Sequence, residues 1–154
     1  MGLPRTFVGF SSTDIRDYHM MLAWKKNEHI DFNFTDCQLS DAIISDNESY
    51  IKKICRERIN MAGKYIMLIG NDTKSKHKYV SWEAEVAIEK QCTIIGVNLD
   101  RSKSFNDSKT PTIIKNIGAI FVNYSPKIIA YALNNYQMHD SENYNYPEDV
   151  YKKL

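Results

Sequence analysis

Between Lys78 and Gln91 the chain reads KYVSWEAEVAIEKQ, so that Ser81, Trp82, Glu83 and Glu85 bring a hydroxyl, an indole and two carboxylates close together. On a helix turning 100° per residue, Val80, Ala84, Ala87 and Ile88 form one apolar arc. Glu83 and Glu85 leave that arc on opposite flanks, roughly 160° apart. Glu85 lies one turn from both Ser81 and Trp82. A half-buried carboxylate sharing its surroundings with an aromatic ring and a hydroxyl is the raw material of a ligand pocket. Glu83 points toward the flank of Lys90. Most helical glutamates are solvated charges, and the period separates these two only weakly, with Glu85 the candidate.

A second group with chemical potential is Phe10-Ser11-Ser12 followed by Thr13-Asp14. Backbone N–H groups at a helix N-terminus, with the hydroxyls of Ser11 and Ser12, would make a cradle for phosphate. The simpler reading is that Ser11 caps its helix, with Asp14 three residues on.

The elements around these residues follow from hydropathy. Thr6–Phe10 reads as a short buried strand, and the next helix carries Ile15, Tyr18, His19, Leu22 and Ala23 at helical spacing before ending near Lys25-Lys26. Ile30–Thr35 alternates, with Ile30, Phe32 and Phe34 on one side, as an edge-like second strand does. A polar loop over 36–47 holds an apolar knot, Ala42-Ile43-Ile44. A helix is expected over Glu48–Met61, capped by Gly63. Tyr65–Ile69 and Cys92–Val97 are continuous apolar runs suited to central parallel strands. A short helix is expected at Thr112–Asn116, a fifth strand at Gly118–Val122, and a last helix with Pro126 near its start.

Strands alternating with helices predict an α/β domain. The expectation is a flavodoxin-like, five-stranded parallel sheet of order 2-1-3-4-5, with helices on both faces. Such sheets bind ligands beyond the carboxyl ends of their strands, where the strand order reverses. The loops that meet there leave the first and third strands, over 10–14 and 70–82. The tail from Gln137 to Leu154 is tyrosine-rich without a clear period, and is expected to be only partly ordered against the body.

Composition narrows the function. The 154 residues are 43% hydrophobic and 25% charged with a net charge of +1, an ordinary globular balance that offers no broad basic face for nucleic acid or anionic lipid. Lys74-Ser75-Lys76-His77-Lys78 reads as a solvated loop. Cys37, Cys55 and Cys92 are odd in number and widely spaced, which suits reduced thiols rather than a disulfide frame or a zinc site. The histidines are equally dispersed, so no metal is expected. No run approaches membrane-spanning length and none reads as a signal peptide, so the expectation is a cytoplasmic, single-domain protein.

Taken together, Phe7-Val8-Gly9-Phe10-Ser11 ahead of a helix, the 36–47 loop, Tyr65–Gly70 and Tyr79-Val80-Ser81-Trp82-Glu83-Ala84-Glu85 resemble the TIR domains, over roughly Thr6 to Tyr136. The resemblance is to the bacterial TIR-like branch of Thoeris anti-phage defence, and the last motif is its specific part. It implies an enzyme that takes NAD as substrate, needs no cofactor, and breaks the bond between nicotinamide and ribose. The implied product is a cyclic ADP-ribose isomer that activates a companion effector once a phage trigger is present. The family's glutamate falls on Glu85, with Glu83 the alternative. Phe10, Ser11, Ser12, Ser81 and Trp82 fall around the substrate. The 36–47 loop, through Ile43 and Ile44, falls where the family self-associates.

The chemistry is consistent with one carboxylate. Departure of nicotinamide leaves an oxocarbenium-like ribose that a nearby negative charge stabilises. Nicotinamide in NAD is already a cationic leaving group and needs no general acid. Two rivals remain on the sequence: a nucleoside deoxyribosyltransferase-like enzyme, which would take a substrate without pyrophosphate, and a non-enzymatic TIR adaptor, which would tolerate loss of Glu85. A phospho-receiver is excluded because Gly9-Phe10-Ser11 replaces its acidic pair.

Overall fold

The computed structural model describes residues 4–30, 32–36, 53, 56–75, 78–139 and 141–154. Strand β1 is Arg5–Gly9; a 3-10 turn at Ser12–Asp14 leads into helix α1, Ile15–Lys26. Strand β2 is Thr35–Asp36, and β3 is Lys64–Ile69. Helix α2 is Lys78–Glu89, β4 is Thr93–Asn98, and a 3-10 turn at Thr112–Ile114 precedes β5, Ile120–Asn123. Helix α3 is Pro126–Asn135, β6 is Tyr144–Asn145 and α4 is Glu148–Lys153.

The strands form a six-stranded sheet, ordered β2-β1-β3-β4-β5-β6. Every neighbouring pair is parallel. The register sets Phe7 beside Tyr65 and Gly9 beside Met67. Because side chains alternate across a strand, consecutive residues feed opposite faces. Val8, Ile66, Leu68, Ile95 and Val97 pack on one face with Met21 of α1 and Ile128 and Leu133 of α3. Phe7, Tyr65, Met67, Ile69 and Ile94 pack on the other with Val80, Ala84 and Ala87 of α2. Helices therefore cover both faces.

The sixth strand lies in the tail, where none was expected. Tyr144 and Asn145 pair with Ile120 and Phe121, and Val150, Tyr151 and Leu154 pack against the core of the α1/α3 face. The Asn123 N–H donates to Tyr151 Oη at 3.4 Å, and Lys103 Nζ bridges to Glu148 at 2.9 Å. The tail is ordered by aromatic burial and one short ladder, neither of which needs a helical or strand period.

Two local expectations also change. The alternation in Ile30–Thr35 marks the burial of Phe32 and Phe34 rather than a ladder, which covers only Thr35 and Asp36. Residues 56–60 are helical, and Gly63 follows them without a left-handed backbone; it bridges strands instead, its N–H donating to Arg5 O and its carbonyl accepting from Thr93 N–H. Ile43, Ile44 and the rest of the apolar knot lie outside the described residues. Among those described, no helix is long and apolar enough to cross a membrane.

Candidate active site

Helix α2 lies across β1, β3 and β4 and turns its buried side onto them. Val80, Glu83, Ala84 and Ala87 are all buried on that side, which is the i, i+3, i+4, i+7 stripe of a helix against a sheet. Val86 is also buried, so the buried arc extends to the flank that carries Glu83. The apolar arc drawn from sequence leaned instead toward Ile88, which is only half-buried.

The two glutamates are consequently the reverse of what the sequence suggested. Glu83 is 8% exposed, and Glu85 is solvent-exposed. The half-buried environment assigned to Glu85 belongs to neither residue. The signal for Glu83 was present in its spacing of three from Val80 and four from Ala87, but its charge argued for solvent.

The Glu83 carboxyl reaches the sheet beside Gly9, the last residue of β1. A Cβ added at Gly9 would collide with Tyr65 Oη and stand 2.9 Å from Glu83 Oε1. Only glycine leaves room for both groups, a known reason for glycine inside a strand. Burial pushes the Glu83 carboxyl up to about 8, with no charged neighbour contributing among the described residues. Desolvation penalises the charged form, and such a carboxyl in a cleft is a functional candidate.

Just beyond Gly9, the carboxyl ends of β1 and β3 are tied together. Thr13 Oγ1 donates to Asp72 Oδ2 at 2.6 Å, and Gly70 N–H donates to Thr73 Oγ1 at 2.9 Å. The Asp14 carboxylate fills the space a side chain on Gly70 would need, with Oδ1 2.7 Å from that point. Asp14 is raised above the usual carboxylate range by burial first, then by Asp72 and Asp17, while Thr73 opposes the shift. This end of the sheet is acidic.

Ser11 does not cap α1. It makes no side-chain capping bond; the Ser11 carbonyl accepts the Asp14 N–H at 2.7 Å as the chain turns into its 3-10 start. Its side chain is 3% exposed and its Oγ has no partner among the described residues. A buried hydroxyl without a partner is uncommon and marks a place where a ligand or water bonds.

The other expected residues are dispersed. Ser12 is exposed, while Ser81 and Trp82 are half-buried. Phe10 stacks on Tyr18 at 4.8 Å and packs with the core of the α1/α3 face, on the opposite side of the sheet from Glu83. The structure thus gathers Gly9, Tyr65 and Glu83 at one point, with Ser11 two residues beyond Gly9. Among the described residues, no group of acidic, histidine or cysteine side chains could hold a metal.

The model of the family described as Thoeris protein ThsB, TIR-like domain, matches residues 7–104. That span holds the last three residues of β1, all of β3, the Trp82–Glu85 motif and β4. No curated protein matches the sequence. Among solved structures, the chain is similar to a CMP N-glycosidase of Clostridium botulinum, BcmB, with 10% identity and a TM-score of 0.46, over 86% of this chain and 99% of that one. It is also similar to a conserved protein of Enterococcus faecalis V583, with 12% identity and a TM-score of 0.48, over 99% of this chain and all of that one.

Proposed function

This chain belongs to the TIR-like domain family of the Thoeris protein ThsB, and on that premise we propose that it breaks the nicotinamide–ribose bond of NAD with the Glu83 carboxylate facing the ribosyl cation. The observation that carries this reading is the burial of Glu83 beside Gly9 without a charged partner among the described residues. A carboxylate kept out of water and left uncompensated interacts strongly with any positive charge that develops next to it.

In the proposed step the C–N glycosidic bond breaks and its electron pair leaves with nicotinamide, whose ring becomes neutral. The positive charge passes to the ribose ring, where Glu83 stabilises it. A hydroxyl from the adenosine half then adds to the anomeric carbon and loses its proton, giving a cyclic ADP-ribose isomer. Water at the same carbon would give ADP-ribose, so cyclisation requires a folded substrate and little solvent.

Burial raises the Glu83 carboxyl to about 8 in the free protein and so disfavours its charged form. An approaching cationic nicotinamide ring favours the charged carboxylate, so binding and ionisation are coupled. Asp14 and Asp72 act in the same sense at the mouth. They suit a cationic ring better than a phosphate, so Ser11 serves neither as the helix cap nor as the alternative phosphate cradle, but hydrogen-bonds a neutral group such as a ribose hydroxyl. Glu85, exposed on the far side of the helix, is assigned no part in the chemistry.

The same reading includes a diffusible product that activates a companion effector, a phage trigger, and self-association through Ile43 and Ile44. The test is to incubate the protein with NAD, with and without extract from infected cells, and resolve the small molecules by mass. Nicotinamide and a species of cyclic ADP-ribose mass are expected from the parent and absent from Glu83→Gln. Undiminished product from Glu83→Gln would remove Glu83 from the mechanism. Phage protection that survives Glu83→Gln without NAD consumption would make the chain an adaptor.

A further inference from the structure

We infer that the seam between α3 and β6 is a binding site for a quaternary ammonium group, held by the rings of Tyr131, Tyr136, Tyr144 and Tyr146. The site is separate from Glu83 and does not rest on the NAD reading. It lies against β5, which β3 and β4 separate from Gly9, and on the α1/α3 face of the sheet rather than the α2 face.

The observations are a recess and the rings around it. Helix α3, the turn after it and β6 enclose a cavity of about 390 Å³, within the size range of small-ligand sites. Tyr131 and Tyr146 meet at 5.3 Å and 78°, and Tyr136 and Tyr146 at 6.4 Å and 86°. His139 extends the wall, at 73° to Tyr136 and 51° to Tyr144. A flat heterocycle stacks best between parallel faces. A compact cation gains instead from several π faces set at near right angles around one space.

The walls are fixed by the fold. Tyr136 is buried, and its hydroxyl donates to the Gly118 carbonyl. Tyr144 sits in the β6 ladder, its N–H donating to Ala119 O at 3.1 Å. Tyr131 belongs to α3, and Pro147 restricts the backbone of Tyr146 before it. Preorganised walls reduce the ordering cost of binding.

The lining selects the kind of cation. Lys153 Nζ stands 5.3 Å from the centroid of Tyr131, so a ring of this cluster already attracts a cation within the chain. Lys153 itself is exposed and does not line the recess. Among the described residues, no Lys, Arg, Asp or Glu lines it. No fixed positive charge repels a cation there, and no carboxylate offsets the desolvation of a strongly hydrated primary ammonium. A quaternary ammonium spreads its charge over apolar methyl groups, and aromatic walls suffice to bind it. Burial, then the phenols of Tyr131, Tyr136 and Tyr151, raise the Tyr146 phenol above its ordinary value. The wall therefore acts through its neutral ring.

The experiment titrates the intact protein into choline and follows the trimethyl proton resonance, which tyrosine ring currents move upfield. The neutral tert-butyl analogue of choline has the same shape without the charge. Choline should bind roughly tenfold more tightly than this analogue, the ratio a cation–π contribution gives. Tyr146→Phe should keep the binding, and Tyr146→Leu, checked for folding by near-UV circular dichroism, should lose it. If Tyr146→Leu does not fold, the comparison of choline with its analogue decides on the parent protein alone. Sedimentation with phosphatidylcholine vesicles then separates the sources of the group. Choline binding with co-sedimentation assigns a lipid headgroup, and choline binding without it assigns a soluble ligand. Absence of choline binding, equal binding of the neutral analogue, or binding of adenosine in place of choline overturns the inference.

Discussion

Glu83 Oε1 stands 2.9 Å from where a Cβ on Gly9 would lie, so the last residue of β1 and the buried carboxyl of α2 compete for one space. Gly9→Ala would force the Tyr65 hydroxyl and the Glu83 carboxyl to move. Overpacking of this kind typically costs about 1–3 kcal/mol, and a displaced carboxylate loses its electrostatic effect on the reacting carbon. Gly63→Ala is the control, because nothing lies within 4 Å of a Cβ there. Thermal unfolding and NAD turnover of the two variants should separate them, with Gly9→Ala impaired in both and Gly63→Ala close to the parent.

Removing the charge of Glu83 tests the chemistry directly. Glu83→Gln keeps the shape of the side chain and should lower turnover on the order of 10²–10³-fold, as loss of one electrostatic group does elsewhere. Glu85→Gln alters an exposed helical side chain and should keep most of the activity. The opposite pattern, with Glu85→Gln inactive, would return the role to Glu85.

The pH dependence of stability has a definite sign. The folded-state value for Glu83 is raised from 4.5 to about 8, so its contribution is fully present below pH 4.5 and is lost as pH rises to about 8. Across that window the unfolded chain ionises the group while the folded chain holds its proton, and stability falls. Glu83→Gln lacks this group and should lose less stability over the same window, by something on the order of a few kcal/mol. Denaturant midpoints of both proteins between pH 4.5 and 9 provide the comparison. Parallel curves would mean that Glu83 titrates as an ordinary surface carboxylate.

The same titration shapes catalysis. kcat/KM reports the ionisation of the free enzyme, so it should rise with pH through a midpoint near 8 if the carboxylate is the working form. A profile already flat at pH 6 would indicate that Glu83 acts while protonated.

The tail provides a structural test. Ending the chain after Glu142 removes β6 and α4, uncovering the edge of β5 and the apolar surface beneath Val150, Tyr151 and Leu154. An exposed edge strand invites pairing with other chains. The truncated protein should melt at least about 8 °C lower and form aggregates detectable by light scattering. A monomeric truncation with the parent's melting temperature would show that the tail is dispensable.

The class of fold was legible because it rests on local pattern. Runs such as Tyr65–Ile69 have no polar position to offer solvent, so they require cover on both sides, and the helices between them supply it. The motif at Trp82–Glu85 was equally legible, as was its place after the third strand. What the sequence left open was the rotation of α2 about its axis. Helical period fixes the angle between Glu83 and Glu85, but which of them meets the sheet depends on how Val80, Val86 and Ala87 settle against residues distant in sequence, and on the space left by Gly9 and Tyr65. The same limit applies to Ser11, whose side chain could cap a helix by its type and does not by its placement, and to the tail, whose tyrosines are ordered by partners such as Asn123 rather than by any period of their own. Residue type and spacing determined which groups were available. Tertiary packing decided which carboxyl was taken out of water, because burial is a property of the assembled surfaces and not of the chain.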